Sequence, residues 1–153
     1  MCIRDRWKSG QESAVRFFAV ALAFWSLAKN QATTPKRWTQ FARLAWATGY
    51  RIYHHINYAI SQKNNHAILE ACGLMLVAHL FPEFDDAAKW GHRGRTVLER
   101  QIRCQVYADG TYVQQSMNYH RVMLHGAMVA LRLAELSGKP FPRDIYDLSL
   151  IHI

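Results

Sequence analysis

The sequence is poor in cysteine, in acidic side chains and in long apolar runs, and each shortage closes off a class of function. Its three cysteines, Cys2, Cys72 and Cys104, are odd in number and widely separated, with no CxxC or Cys/His spacing suited to zinc. Cys72 and Cys104 read as small buried apolar residues. The 11 Asp and Glu are outnumbered by 19 Lys and Arg, a formal net charge of +8 that favours an anionic partner: nucleic acid, acidic lipid or acidic polysaccharide. Most basic residues are scattered through amphipathic segments, where a solvated helix face accounts for them. No recognition-helix motif or stacking platform supports nucleic-acid binding. The longest apolar stretch, around Phe17 to Leu27, is shorter than the roughly 20 residues a bilayer requires, so it reads as a core helix and no membrane span is expected. There is also no Gly-rich phosphate loop, no exact internal repeat and no low-complexity tract.

What is present is enough for one folded domain: 153 residues, 50% hydrophobic and 12% aromatic. Both ends look foreign to it. Met1-Cys2-Ile3-Arg4-Asp5-Arg6 and Asp147-Leu148-Ser149-Leu150-Ile151-His152-Ile153 resemble translated sequencing-adapter tails on a metagenomic fragment. The domain proper is then residues 7–146, a piece of a longer protein, and Cys2 and His152 belong to no site. Neither end has the n-region, h-region and cleavage site of a signal peptide, which on a fragment says nothing about compartment.

Periodicity predicts a succession of helices. Val15, Phe18, Leu22, Trp25 and Leu27 fall near helical spacing over about Gln11 to Lys29, and Asn30 to Pro35 breaks the pattern. A second helix runs from about Pro35, a good first-turn residue, to Gln62, with Trp38, Phe41, Leu44, Ala45, Ile52, Ile56 and Ile60 inward. A third spans about Asn65 to Leu80, ended by Phe81-Pro82, and a fourth about Asp85 to Gln105. The Asp109-Gly110 turn signal marks a short hairpin or extended loop near 107–116. Helix resumes from about Asn118 to Ser137, where Gly138 and Pro140 end it. The fold class is all-α, built of antiparallel helix pairs; periodicity alone does not separate a bundle, an α-solenoid and an (α/α) toroid.

Two polar clusters interrupt this apolar helical sequence: Asn64-Asn65-His66 with Glu70 four residues on, and Asn118-Tyr119-His120. Amide, imidazole and phenol groups together can neutralise a carboxylate and move a proton without a metal. On a helix starting near Asn65, Glu70 lies one turn beyond His66 and is placed to accept from an imidazole nitrogen, which would raise that histidine's pKa.

The order of motifs carries a resemblance. Ser9-Gly10-Gln11-Glu12-Ser13-Ala14-Val15-Arg16, then Asn64-Asn65-His66 with Glu70-Ala71-Cys72-Gly73-Leu74, then Leu80-Phe81-Pro82-Glu83, then Asp109-Gly110 and Gln115-Ser116-Met117-Asn118-Tyr119-His120-Arg121 resembles the heparinase II/III and alginate lyase superfamily over about residues 7–142. Each motif is weak alone; five in order are specific. The resemblance implies an incomplete (α/α) toroid whose parent cleaves uronic-acid-containing anionic polysaccharide by β-elimination, with no cofactor or metal. Further toroid helices and a β-sandwich domain of the same parent would follow, and the parent would work in the periplasm or outside the cell.

Removing the C5 proton of a uronate is hard because the adjacent carboxylate opposes the enolate, and donors aimed at that carboxylate lower the barrier. By resemblance, Asn65 and His66 are the neutralising pair and Tyr119 the catalytic phenol. A phenol has a reference pKa near 10, so as a base it needs positive neighbours; His120 and Arg121 are candidates by adjacency. Gln11, Glu12 and Arg16 match a family pattern near the cleft, without a chemical role that the sequence assigns.

Plainer roles compete. Asn64 or Asn65 can simply cap the third helix, Tyr119 can be a core aromatic, and Glu70 an ordinary helix glutamate. His54, His55, His79, His92 and His125 lack partners at metal spacing and read as structural, and Trp25, Trp38, Trp46 and Trp90 read as core. The alternative to a lyase is a non-catalytic helical module that binds acidic glycans or packs on a partner domain.

Overall fold

The structure, a computed structural model, describes residues 9–150; the tail reading for 1–6 and for 151–153 falls outside that range. Six helices are described: α1 Gly10–Ser26, α2 Pro35–Ser61, α3 Asn65–Leu80, α4 Ala87–Gln105, α5 Met117–Leu136 and α6 Arg143–Leu150. The first five stand where periodicity predicts them. α6 was not expected; it begins in the domain segment, runs into the segment read as a tail, and buries Ile145.

Local signals set the boundaries. Thr34 caps α2, its side chain accepting from the Arg37 N–H, with Pro35 in the first turn, where its missing N–H is no loss. Between α4 and α5, Gly110 takes a φ of +82° and lets the Tyr107 C=O accept from its N–H at 2.8 Å. Of the expected short hairpin or extended loop near 107–116, the segment forms a loop closed by one antiparallel bridge, Val106 to Tyr112.

The contacts fix the directions. Gly10 lies against Glu70 and Gly73 against Ala14, so α1 and α3 run parallel. Leu69 meets Gly126 and His79 lies 3.1 Å from the Ser137 hydroxyl, so α5 runs the same way. Gly94 meets the Ala71 carbonyl and Gly91 meets Ala78, so α4 runs opposite to α3. One layer therefore holds α1, α3 and α5 in parallel, backed by α2, α4 and α6, and the starts of α1, α3 and α5 share one end.

α3 is the centre. Ala67, Ile68, Ala71, Cys72, Leu74 and Val77 are all buried, because four helices surround it and an apolar circumference suits such a position. At the far end Phe24 stacks on Phe41 at 4.4 Å, and Phe41 meets Phe17 at 5.8 Å and Phe81 at 5.4 Å, tying α1, α2 and the end of α3 together. The buried rings Phe17, Phe41 and Phe81 each contribute about 1.5–3 kcal/mol.

One predicted face is corrected. α1 buries Ala14, Phe17 and Ala21, whereas Val15, Leu22, Trp25 and Leu27 are exposed and Phe18 is half-buried. Small residues face α3 because the backbones approach closely there, at Ala14 against Gly73. Of the tryptophans read as core, Trp90 is buried, while Trp25, Trp38 and Trp46 are each more than a third exposed.

Candidate active site at the shared helix end

The site is built on the start of α3. Lys63 turns the chain with a φ of +50°, and Asn64 caps the helix, its side-chain oxygen accepting from the His66 N–H at 3.0 Å. The capping role weighed for Asn64 is therefore filled. Asn65 is buried, and its backbone N–H donates to the Gln114 side-chain oxygen at 3.0 Å.

A buried amide holds this turn from behind. Gln105, in the last turn of α4, donates to the Asn64 carbonyl at 3.1 Å and to the Gln101 side chain at 2.7 Å, and its own oxygen accepts from the Tyr112 hydroxyl at 2.8 Å. Each of its polar positions is used, as burial requires. Burial raises the Tyr112 pKa, so the phenol keeps its proton and stays a donor. Sequence reasoning missed Gln101, Gln105, Tyr112 and Gln114. A signal existed: Gln101 and Gln105 are polar residues at i, i+4 within the apolar stripe Val97, Leu98, Ile102.

The same loop that anchors Asn65 leads into α5. Gln114 stands five residues before Tyr119, so the hydrogen bond to Asn65 ties the α5 entry to the start of α3. Tyr119 is 49% exposed and is not a core aromatic. His120 is partly buried with its ring 6.0 Å from Tyr112, on the loop side of α5. The Arg121 guanidinium lies 3.5 Å from the Asn118 side-chain oxygen.

α1 supplies the third edge. Burial lowers the His66 pKa, and the charge of Glu12 pulls it back only partly, so the imidazole is neutral near neutral pH. Gln11 and Glu12 thus come beside the α3 cluster, while Arg16 lies exposed one turn further along α1.

Glu70 departs from the expected geometry. Its carboxylate packs on Gly10 and takes the Gln11 backbone N–H, and no hydrogen bond joins it to His66 among the described residues. The expectation that it orients the imidazole and raises its pKa is corrected: an α1 helix start with open N–H groups is the better partner for a carboxylate. Burial pushes the Glu70 pKa up to about 7, against the Gln11 N–H and the Arg51 charge, which lower it. Among the described residues no group of His, Cys, Asp and Glu is arranged to hold a metal ion, and no helix is long and apolar enough to cross a membrane.

Comparison with known proteins bears on this arrangement. A family model described as Heparinase II/III N-terminus matches residues 6–147. The heparin-sulfate lyase of Bacteroides stercoris is 34% identical over 95 residues, 61% of this chain and 14% of that protein. The heparin-sulfate lyase of Pedobacter heparinus is 38% identical over 60 residues, 39% of this chain and 9% of that one. Two heparinase III structures superpose with TM-scores of 0.73 and 0.70 at 23% and 26% identity, covering 91% and 92% of this chain and 21% of each of theirs. The fold is therefore that of heparinase III, with the chain spanning about a fifth of the solved structures.

Proposed function

The chain belongs to the heparinase II/III N-terminus family, and from that premise we propose that it is part of a polysaccharide lyase that cleaves a uronic-acid-containing anionic polysaccharide by β-elimination. The observation that carries the proposal is the hydrogen bond from Asn65 to Gln114, which draws the Asn-Asn-His turn of α3 and the Tyr119 turn of α5 to one end of the parallel layer. The start of α3 and the entry to α5 share that end, where positive helix dipole ends favour an anion.

In this reading Asn65 and His66 donate to the uronate carboxylate and Tyr119 takes part in proton transfer. A base removes the C5 proton, the electron pair forms the C4–C5 double bond, the C4–O bond breaks, and the departing glycosidic oxygen receives a proton. His66, held neutral by burial, serves as a hydrogen-bond donor rather than as a counter-charge. Stabilising the enolate by such donors is worth about 3–4 kcal/mol for each donor in comparable oxyanion sites. Glu70 acts through α1, fixing Gln11 and Glu12 beside the imidazole. Asn64, His120, Arg121 and Arg16 complete the surround, positioning the turns or meeting the anionic chain.

The rest of the cleft belongs to further toroid helices and a β-sandwich domain of a longer parent. This is supported by the apolar groove of about 610 Å³ that α1, α3 and α5 leave open, lined by Phe18, Leu22, Trp25, Leu76, Leu80 and Val129. The parent works in the periplasm or outside the cell, and the 153-residue chain alone is expected to be inactive.

The test is direct. The longer parent is incubated with a panel of uronate polymers, and the ultraviolet absorbance of the conjugated unsaturated product is followed. Tyr119→Phe and His66→Ala are expected to remain folded and lose most turnover; unchanged rates in both would refute the site.

A further inference from the structure

α2 carries a second surface, on the face turned away from α1 and α3. Its 27 residues include Lys36, Arg37, Arg43 and Arg51 and not one Asp or Glu. The buried side is Phe41, Ala45, Ile52 and Ile56; the opposite side bears Trp46, Tyr50, His54 and Tyr58 at successive i, i+4 positions. Trp46 and Tyr50 are each 46% exposed and Tyr58 is 71% exposed, so this row is no part of the core. At 1.5 Å per residue it is about 18 Å long.

The rings form a connected series. Trp46 stacks on Tyr50 at 5.0 Å and Tyr50 meets His54 at 4.4 Å. Tyr53 stands edge-on to His54 at 5.4 Å, and the Lys89 ammonium of α4 lies 4.8 Å over the Tyr53 ring. One turn on, Arg93 of α4 donates to Asn57 of α2 at 2.6 Å, placing a second α4 cation on the same seam. Arg43 stands one turn before Trp46, on the exposed side.

We propose that this face is an accessory binding surface for a linear anionic polysaccharide, separate from the site at the shared helix end. Sugar rings present apolar faces that pack on aromatic side chains, and their sulfate or carboxylate groups pair with flanking Arg and Lys. A contiguous exposed aromatic row bordered by cations meets both requirements, whereas scattered single apolar residues would need no partner. Charge complementarity selects an anionic chain: the only ionised groups on α2 are positive. Single-stranded nucleic acid, which also combines stacking with phosphate charge, is the competing occupant and an outcome of the test. The choice of a glycan rests on the family reading, but binding is measured without turnover, so the two can fail separately.

The experiment titrates the 153-residue chain with heparin at near-physiological salt, with neutral dextran and a single-stranded oligonucleotide as comparison probes. Trp46→Ala, Tyr50→Ala and Arg43→Gln are each expected to weaken heparin binding by about fivefold or more, with circular dichroism unchanged. Tyr58→Ala, the most exposed of the row, provides the same readout without disturbing the stacked pair. Arg132→Gln, an exposed charge on α5, is expected to leave affinity within about twofold of wild type. Wild-type affinity in the aromatic variants overturns the proposal, as does an equal loss in Arg132→Gln, which would mean diffuse charge. An oligonucleotide that binds as tightly with the same aromatic dependence also overturns it. In the longer parent, hydroxyl-radical footprinting should find Trp46 and Tyr50 reactive when free and protected by heparin; protection already in the free protein means another segment covers the face and sinks the idea.

Discussion

The Glu70 carboxylate rests on the backbone of Gly10, so closely that a Cβ at position 10 would lie 2.5 Å from the carboxyl carbon. Ser9, the residue before α1, makes no side-chain cap hydrogen bond, and the acid of α3 takes the Gln11 N–H instead. An element of the site is thus capped in trans by the helix that carries its imidazole. The carboxylate needs the space a glycine leaves, and α1 needs the carboxylate.

Gly10→Ala pushes the movable carboxylate end of Glu70 off the Gln11 N–H and is therefore expected to destabilise the chain by about 1–3 kcal/mol, the usual cost of leaving a buried polar group unpaired. In a Glu70→Ala background the same substitution should cost little, since the atoms it strikes are gone. Urea unfolding of the double-mutant cycle reads the coupling. Equal costs in both backgrounds would show that the two residues do not press on each other.

Glu70 also gives stability a pH dependence with an unusual sign. Its folded pKa of about 7 lies above its ordinary 4.5, so between those values the folded chain binds more protons than the unfolded one. Stability from this group is full below about pH 4.5 and falls as pH rises towards 7, by about 3 kcal/mol at most. His66, with its pKa lowered, contributes the opposite slope just below its ordinary 6.5. The comparison that isolates Glu70 is wild type against Glu70→Gln, unfolded in urea at pH 5 and pH 7.5. The wild type is expected to lose more stability than the variant across that interval, and parallel behaviour would contradict the buried-acid account.

Tyr112→Phe removes the donor to the Gln105 side-chain oxygen and leaves a buried acceptor unpaired, at a cost of about 1–3 kcal/mol. Because Gln105 holds the Asn64 carbonyl, the loss should be felt at the start of α3. Hydrogen exchange at the Asn65 and His66 amides is expected to quicken more than exchange in the middle of α3. A uniform change along α3 would separate this network from the site.

Helix positions were legible because α2 carries a cap, a first-turn proline and a periodic apolar stripe, α3 an Asn cap and the Phe81-Pro82 stop, and α4 a periodic stripe followed by the Asp109-Gly110 turn. The clusters at Asn64-Asn65-His66 and Asn118-Tyr119-His120 stood out for the reverse reason, as polar groups in apolar helical sequence. Tertiary partners were not legible. His66 is four residues before Glu70, and local spacing pairs them, but the carboxylate turns to a helix start sixty positions away in the chain. Only the fold brings Gly10 there. The Gln105 network was missed because a buried glutamine looks like a surface one until its three partners are placed around it. α6 was missed because Asp147 to Ile153 was set aside as foreign sequence.

The misjudged face of α1 leads to the last expectation. Periodicity detects which residues share a helix face, but not which face the protein covers, and α1 has two apolar faces. Phe17 is fully buried with its ring against Phe41, whereas Leu22 is 72% exposed over the open groove. Phe17→Ala is then expected to cost about 3–5 kcal/mol by leaving a cavity, and Leu22→Ser within about 0.5 kcal/mol because nothing is uncovered. The ordering reverses the one periodicity gives, which puts Leu22 in the inward stripe with Phe18 and Trp25 and leaves Phe17 out of it. Leu22→Ser should also raise the concentration at which the chain self-associates, since it breaks an exposed apolar patch. Urea midpoints and light scattering on the two variants decide the matter: a Leu22→Ser cost as large as that of Phe17→Ala would mean that the groove is closed and the orientation of α1 is wrong.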